Sequence, residues 1–354
     1  MGFYQRIGLI SLLAYLAASC NINDKSIIEF KSFPKKYNLK GTIVETKEIY
    51  KGGFIETLDS LLILTNTPDN KYQIHVYNKS TFAYIGRGGI TGRGPGELTN
   101  ALLGVLDTCE NCIWIPDYAT KEISKFEIDS ILNNNTYLPE TSILFPENLI
   151  LIFYQPLGNG LFSATSFDPG ELIIFFNYEG LLIDSMTIVN KINLYESEGF
   201  SSNTNGIVNY YTYTIHPDLK RIAIAYSYSD HIIVINFEGD MLYKTYGPNN
   251  ILQSPDKRNP DRIVTNSFVK SNEDMIFCLY NGKRKFDLET NFIPTFGNHI
   301  HIYNWDGHPI ADLELNYDAM SFAMDFKTNR IITYSPEVNT FVYYYFNIND
   351  LYDF

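Results

Sequence analysis

The sequence predicts an all-β fold, a six-bladed β-propeller of four-stranded antiparallel blades closed by strands from both ends of the chain. Three observations carry this. First, the phrase Asn–aromatic–acid–Gly occurs at Asn177-Tyr178-Glu179-Gly180, Asn236-Phe237-Glu238-Gly239 and Asn304-Trp305-Asp306-Gly307, each time after a β-rich run. Asn and Gly tolerate the positive φ of short hairpin loops, so each copy reads strand, acidic turn, strand. Second, aromatic residues make up 15 % of the 354-residue chain, led by 27 Tyr and 24 Phe, a composition that favours strands. Third, no segment sustains a capped apolar stripe at helical spacing, so helices should be few.

Weaker copies of the hairpin fall at Asn78, Glu127 and Asn347. With the three clear ones they give six units, at a mean spacing of about 54 residues. Each unit has room for two further strands upstream. The fourth shows this best: Tyr210–Ile215, Arg221–Tyr226, His231–Asn236 and Met241–Tyr246 alternate with turns at 216–220 and 227–230. One twisted blade cannot bury both faces alone, and closing a ring gives every blade a neighbour and removes long free edges. Thr42-Ile43-Val44-Glu45 is the candidate N-terminal donor beside a C-terminal hairpin at 341–352. Two tandem β-sandwiches are the alternative, but no Pro-, Gly- or Ser-rich linker divides the chain near its middle.

The N-terminus reads as a processing signal. Arg6 precedes the uncharged, mainly apolar stretch Ile7–Ala18, too short to span a bilayer. Leu16-Ala17-Ala18-Ser19-Cys20 resembles a bacterial lipobox, which implies residues 1–19 as a lipoprotein signal peptide and Cys20 as the lipidated first residue of the mature chain. Residues 20–40 are then expected as a polar tether and 41–354 as the propeller. The implied home is the outer membrane, held through the lipid anchor alone, with the periplasmic side and the cell surface both open. A net charge of −13 argues against nucleic acid as a partner, because phosphate binding needs a basic stripe.

Several phrases resemble the TolB-like six-bladed propeller lipoproteins. Gly86-Arg87-Gly88-Gly89-Ile90-Thr91-Gly92-Arg93-Gly94-Pro95-Gly96-Glu97 is similar to that group's Gly-rich loop after the first blade. His216-Pro217-Asp218-Leu219-Lys220 and the following strand resemble its Pro-Asp turn, and Tyr280-Asn281-Gly282-Lys283 a recurrent turn. The resemblance implies the fold and an envelope setting but supplies no catalytic residues. Asp59-Ser60-Leu61, Asp129-Ser130-Ile131 and Asp184-Ser185-Met186 resemble acceptor triplets for protein O-glycosylation in the Gram-negative anaerobes rich in this group. Chance is the competing explanation, since Asp and Ser are common in turns.

Four places could carry chemistry. The loop 86–97 is neither a P-loop nor a dinucleotide fingerprint, as no Lys-Ser/Thr follows and no βαβ unit surrounds it. It reads as a structural connection, or else as a ligand cradle, with Arg87 and Arg93 expected to bond carbonyls or Glu97 across Gly94-Pro95-Gly96. Cys109 and Cys112 are spaced C-x-x-C between strands rather than at a helix N-terminus, which disfavours redox activity. They are either a disulfide across a hairpin or two free thiols. His299 and His301 share one face of a strand and are weak candidates for zinc or copper; a hairpin turn that contains Asp306 separates His308 from them, and no carboxylate is securely placed. Asp107, Asp117 and Asp325 are candidates for a divalent cation in the central channel.

These features support a non-enzymatic envelope scaffold that binds a peptide, glycan or protein partner and needs no cofactor. The alternative is a metal-dependent propeller hydrolase or lyase with a divalent cation in the channel. Three carboxylate or His side chains converging on the axis would favour the enzyme. A channel lined by Tyr and Phe would favour binding, with Tyr210–Tyr213 as candidate lining and the connections 133–148 and 190–209 as further recognition surface.

Overall fold

The computed structural model describes residues 27–46, 53–65, 71–101, 103–144, 151–166, 172–177, 184–185, 187–193, 211–216, 218–249, 251, 263–284 and 296–352. They form six small sheets. From the axis outward, blade 1 is Phe54–Leu58, Leu61–Thr65, Tyr72–Asn78 and Tyr84–Ile90, and blade 2 is Val105–Asp107, Cys112–Asp117, Glu122–Glu127 and Thr141–Leu144. Blade 3 is Leu151–Gly158, Leu161–Ser166, Leu172–Asn177 and Thr187–Asn193, and blade 4 is Tyr211–His216, Arg221–Tyr226, Ile232–Asn236 and Met241–Tyr246. Blade 5 is Ile263–Ser271, Met275–Arg284, Gly297–Asn304 and Pro309–Ala319. Blade 6 supplies only three strands of its own, Ser321–Asp325, Arg330–Ser335 and Thr340–Tyr345.

The ring closes where the sequence predicts. Thr42–Ile43 lies antiparallel on Thr340–Tyr345 and completes blade 6, pairing Ile43 with Val342 and Thr42 with Tyr343. The Val44 amide donates to the Phe341 carbonyl at 2.9 Å and the Thr340 hydroxyl to the Val44 carbonyl at 3.0 Å. The C-terminal partner is not a hairpin at 341–352. Ile348–Leu351 is a 3₁₀ turn, so the outer strand of blade 6 comes wholly from the N-terminus.

Part of the expected tether is also strand. Ile27–Glu29 runs parallel to the outer strand of blade 4, and Lys35–Leu39 parallel to that of blade 5. The apolar side chains Phe30, Phe33, Tyr37 and Leu39 within the polar stretch explain this. Phe33 is buried between blades 4 and 5, and Tyr37 and Leu39 pack against the cluster of blades 5 and 6. These strands cap two otherwise free outer edges.

The core is not a single mass but six apolar clusters, one at each seam between neighbouring blades. Side chains alternate between two such seams along a strand. In Arg221–Tyr226, Ile222, Ile224 and Tyr226 face blade 3 while Ala223 and Ala225 face blade 5. Strands buried on both faces read as continuous apolar runs, which is why Ile232-Ile233-Val234-Ile235 shows no polar alternation.

The repeated phrase has a structural reason beyond its turn. In both described copies the Asn side chain, not a left-handed backbone, caps the loop. Asn236 Oδ1 accepts from the amides of Glu238 (3.1 Å) and Asp240 (2.8 Å), and Asn304 Oδ1 from those of Asp306 (3.1 Å) and His308 (2.8 Å). The glycine takes the positive φ, +93° at Gly239 and +76° at Gly307. The aromatic residue reaches into the seam with the preceding blade: Phe237 contacts Phe175 (4.9 Å), and Trp305 meets His216 (5.2 Å). The acid of the third copy, Asp306, pairs with Arg221 of blade 4 at 2.9 Å. In the first copy 178–183 lies outside the described residues, and the partner of Leu172–Asn177 is Thr187–Asn193 rather than the segment directly after the turn.

Three expectations need correction. The turn expected after Glu127 is a short helix, Ile128–Asn133, packed on the outer strand of blade 1, where a side chain at Gly88 would come within 2.9 Å of Ile131. Tyr280-Asn281-Gly282-Lys283 is a bulge inside a strand, with Gly282 at φ +70° and the Lys283 amide donating to Asn281 Oδ1. The connections 133–148 and 190–209 are partly strand, at Thr141–Leu144 and Thr187–Asn193. Among the described residues no helix is long and apolar enough to cross a membrane.

Candidate functional site

The central channel is formed by the inner strands, and a cavity of ≈ 260 Å³ lies among those of blades 1 to 5. Its polar lining comes from the inner strands of blades 1, 3, 4 and 5. Gln155 (blade 3), Thr212 and Thr214 (blade 4) and Lys270 and Ser271 (blade 5) line it, with Glu56 (blade 1) opposite. Lys270 Nζ donates to Glu56 Oε2 at 2.6 Å and to the Ile55 carbonyl at 3.0 Å, so one ammonium ties blade 5 to blade 1 in front of blade 6. The Thr214 and Ser271 hydroxyls are 2.7 Å apart across the seam of blades 4 and 5. Thr212 Oγ1 is buried and has no hydrogen-bond partner among the described residues. An unsatisfied buried hydroxyl is costly.

The aromatic side chains contribute less to the channel than their positions suggest. Tyr213 borders it, yet its hydroxyl is drawn into the seam with blade 3, donating to the Phe153 carbonyl (2.8 Å) and lying 2.9 Å from Ser163 Oγ. Burial raises the Tyr213 phenol well above its ordinary pKa, so it stays protonated. Phe153, Tyr154 and Phe268 complete an apolar part of the wall. Tyr210 lies outside the described residues.

The three aspartates proposed for a channel cation do not converge, because each is committed locally. Asp107 Oδ1 accepts from the amides of Cys109 (3.0 Å) and Glu110 (3.1 Å), capping the first hairpin of blade 2. Asp117 accepts from the amides of Asn100 (3.1 Å) and Ala119 (2.8 Å) and so anchors the end of the Gly-rich loop. Asp325 is bound by Lys79 (3.0 Å), Thr328 and Arg330 (3.3 Å) at the seam of blades 6 and 1.

The Gly-rich loop closes on itself. The Gly94 amide donates to Glu97 Oε2 at 2.8 Å, Gly92 to the Leu98 carbonyl at 3.0 Å, and Leu98 to the Ile90 carbonyl at 2.8 Å. Side chains at Gly92 or Gly94 would collide with or crowd the Glu97 carboxylate, and Gly96 takes φ +74° beside Leu138 and Pro139. Arg87 lies over the Tyr72 ring at 4.3 Å rather than on Glu97, and Arg93 and Pro95 are exposed. Glu97 is thus occupied by backbone, which fits the structural reading of the loop.

His299 and His301 do share a face, the side of blade 5 that looks toward blade 4. The antiparallel register places Asp312 of the next strand directly opposite His301. His299 Nδ1 is 2.8 Å and His301 Nε2 3.8 Å from Asp312 Oδ1. Sequence reading missed Asp312, because a register shift between Tyr303 and Ile302 displaces the pairing by one residue, and a regular count from the Asn304–Gly307 turn would set Ala311 opposite His301. His308 is exposed at the hairpin tip, far along the strand pair. His301 is 6 % exposed, with Tyr280 stacked on its ring at 4.3 Å and Phe33 at 4.5 Å. Burial lowers its pKa to about 3, so the imidazole is neutral. Burial works against the Asp312 charge, but the His299 hydrogen bond, with His301 and Lys36 nearby, holds its carboxyl below the ordinary value.

Of the remaining candidates, Cys109 and Cys112 are free thiols, the first exposed in its turn and the second buried at the seam of blades 2 and 3. Ser60 is exposed in the turn at 59–60, and Ser130 lies partly buried on the short helix. Ser185 is on Asp184–Ser185, paired parallel with the outer strand of blade 2. Cys20 lies outside the described residues.

Solved structures with the same architecture include a member of the DUF4221 family from Bacteroides vulgatus ATCC 8482, at TM-score 0.52 and 10 % identity over 88 % of this chain and 96 % of that one. A second is a protein from Bacteroides fragilis NCTC 9343 inferred to be exported, at TM-score 0.51 and 14 % identity over 90 % of this chain and 98 % of that one. At such identities the likeness concerns the fold alone. No curated protein matches the chain in sequence. The family model of TolB-like 6-blade propeller-like proteins matches residues 32–327, from the N-terminal strap through the first strand of blade 6, and the chain belongs to that family.

Proposed function

We propose that this chain is an envelope-located, non-enzymatic binding propeller that receives a peptide, glycan or protein partner at its central channel. The observation that carries this is the chemistry of the lining. Gln155, Thr212, Thr214 and Ser271 bring an amide and hydroxyls to the wall from three blades, the Gln155 Nε2 donating to the Tyr213 carbonyl and the Thr214 and Ser271 hydroxyls bonding each other, and the one carboxylate among the lining residues, Glu56, is neutralised by Lys270. Such a wall can read hydrogen-bonding groups on a ligand but presents no paired acid and base. The separate commitments of Asp107, Asp117 and Asp325 weigh against the hydrolase or lyase alternative.

An envelope setting is supported by the lipobox-like Leu16–Cys20 and by a fold shared with a protein inferred to be exported. Lipidation at Cys20 is tested by labelled fatty-acid incorporation, expected in the native chain and lost in Cys20→Ala. Glycosylation at Ser60, Ser130 or Ser185 is tested by intact mass of the native protein, and an unmodified mass removes it.

The channel reading is tested by calorimetric titration with a panel of envelope oligosaccharides and short peptides. At least one class should bind, and Thr212→Trp, which fills the channel, should abolish binding while leaving the circular dichroism spectrum unchanged. Equal binding by that variant would place recognition elsewhere. Ligand cleavage seen by mass spectrometry would restore the enzymatic alternative.

A further inference from the structure

We propose that His299, His301 and Asp312 form a binding site for a zinc-class divalent transition metal, off the propeller axis at the seam of blades 4 and 5. Tetrahedral zinc bonds of about 2.0–2.2 Å place neighbouring donor atoms roughly 3.3 Å apart. The two measured separations from Asp312 Oδ1, 2.8 Å to His299 Nδ1 and 3.8 Å to His301 Nε2, straddle that value. One donor atom from each of the three residues lies within 4.8 Å of the others. The departures from that value are of the size that side-chain rotation spans.

The donor set and its setting fit the ion. Two imidazoles and one carboxylate suit zinc and its neighbours in the first transition row. The His301 ring is fixed between Tyr280 and Phe33. His299 and Asp312 are more open, with side chains 28 % and 12 % exposed. All three border a cavity of ≈ 240 Å³, which leaves room for water at a fourth position. The segment that roofs this cavity is the N-terminal strap: Lys31, Phe33 and Lys36 line it with Pro248 and Asn249 of blade 4. The ammonium groups of Lys31 and Lys36 oppose a dication, so micromolar rather than nanomolar affinity is expected.

The site is independent of the channel reading, because its residues lie on the third and fourth strands of blade 5 rather than on the inner one. The test is titration of the purified full chain, free of affinity-tag histidines, with Zn²⁺ by calorimetry and with Co²⁺ by absorption spectroscopy. One equivalent should bind, with the visible band of tetrahedral cobalt and a rise in Tm on adding zinc. His299→Ala and Asp312→Asn should each weaken binding at least about tenfold, and His308→Ala should leave it unchanged. His301→Ala could fail to fold because the residue is buried, so the first two variants carry the decision. Absence of saturable one-to-one binding, or binding that survives in His299→Ala and Asp312→Asn, overturns the proposal.

Discussion

Two aspartates hold comparable places in this ring and have opposite surroundings. Asp325 sits at the seam of blades 6 and 1, where the chain closes, and Asp312 at the seam of blades 4 and 5. Asp325 is 3 % exposed and its two oxygens are taken by Lys79, Thr328 and Arg330, of which the two charged partners are permanent cations. Asp312 meets two imidazoles with one oxygen and borders a cavity. A carboxylate saturated by fixed cations can only hold blades together. One whose partners are imidazoles beside open volume can exchange a proton or a hydrogen bond for a metal ion. The kind of partner, more than burial, separates the lock from the site.

The largest expected effect tests the lock. Asp325→Ala leaves the Lys79 and Arg330 charges buried without their counter-ion and should cost about 3–5 kcal/mol in denaturant unfolding. A loss below about 1 kcal/mol would make this pair no different from a surface ion pair. Its pH window follows from sign. Burial tends to raise the Asp325 pKa, but the Thr328, Lys79 and Arg330 contacts outweigh it and the net shift is downward. The contribution is therefore present above the unfolded value near ~3.9 and is lost only as pH falls through the lower folded value.

Buried histidines should act at higher pH. Burial lowers His75 to about 4, opposed by its bond to the Tyr72 carbonyl and aided by Arg87; burial and Lys244 lower His231 to about 3. His75 also meets the Tyr84 hydroxyl, and His231 is bonded to the Ser229 hydroxyl and flanked by Tyr226 and Tyr246. Both are neutral when folded and would take up protons when unfolded below about 6.5, so stability should fall as pH drops from about 6.5 toward 4. Thermal melts in a chelating buffer should show Tm declining across that range. A flat profile between pH 6.5 and 5 would contradict it.

Two smaller effects sharpen the contrast between site and lock. Asp312→Asn keeps shape and a hydrogen-bonding oxygen, so it should cost only about 0.5–1.5 kcal/mol, well short of Asp325→Ala under the same conditions. Thr212→Val removes a buried hydroxyl without a partner at nearly constant volume, so stability should be unchanged or slightly higher while ligand affinity at the channel falls. A loss above about 1 kcal/mol would mean that the hydroxyl is already satisfied.

Much of the architecture was legible because repeat and closure are local statements. The turns at Asn236 and Asn304, the strands of blade 4 and the closing strand at Thr42–Ile43 each follow from adjacent residues and their two-residue alternation. Failures came where a distant surface overrode local pattern. The stretch after Glu127 reads as hairpin, yet Ile128–Asn133 forms a helix because Gly86 and Gly88 of blade 1 leave it a floor. The polar segment 27–39 reads as tether yet becomes strand because blades 4 and 5 offer unpaired outer edges. For the sites, the His299–His301 pair was visible through strand periodicity, whereas Asp312 needed the register of a bulged hairpin.

Six sheets, the places of most of their turns and the meeting of the two chain ends in one sheet are legible from residue order alone. Each of these rests on side-chain alternation and turn chemistry within a few residues. Which polar groups share a seam or a channel wall depends on how the blades stand around the axis. Such groups lie up to hundreds of residues apart, as Lys79 and Asp325 do, and ring geometry alone brings them within bonding distance.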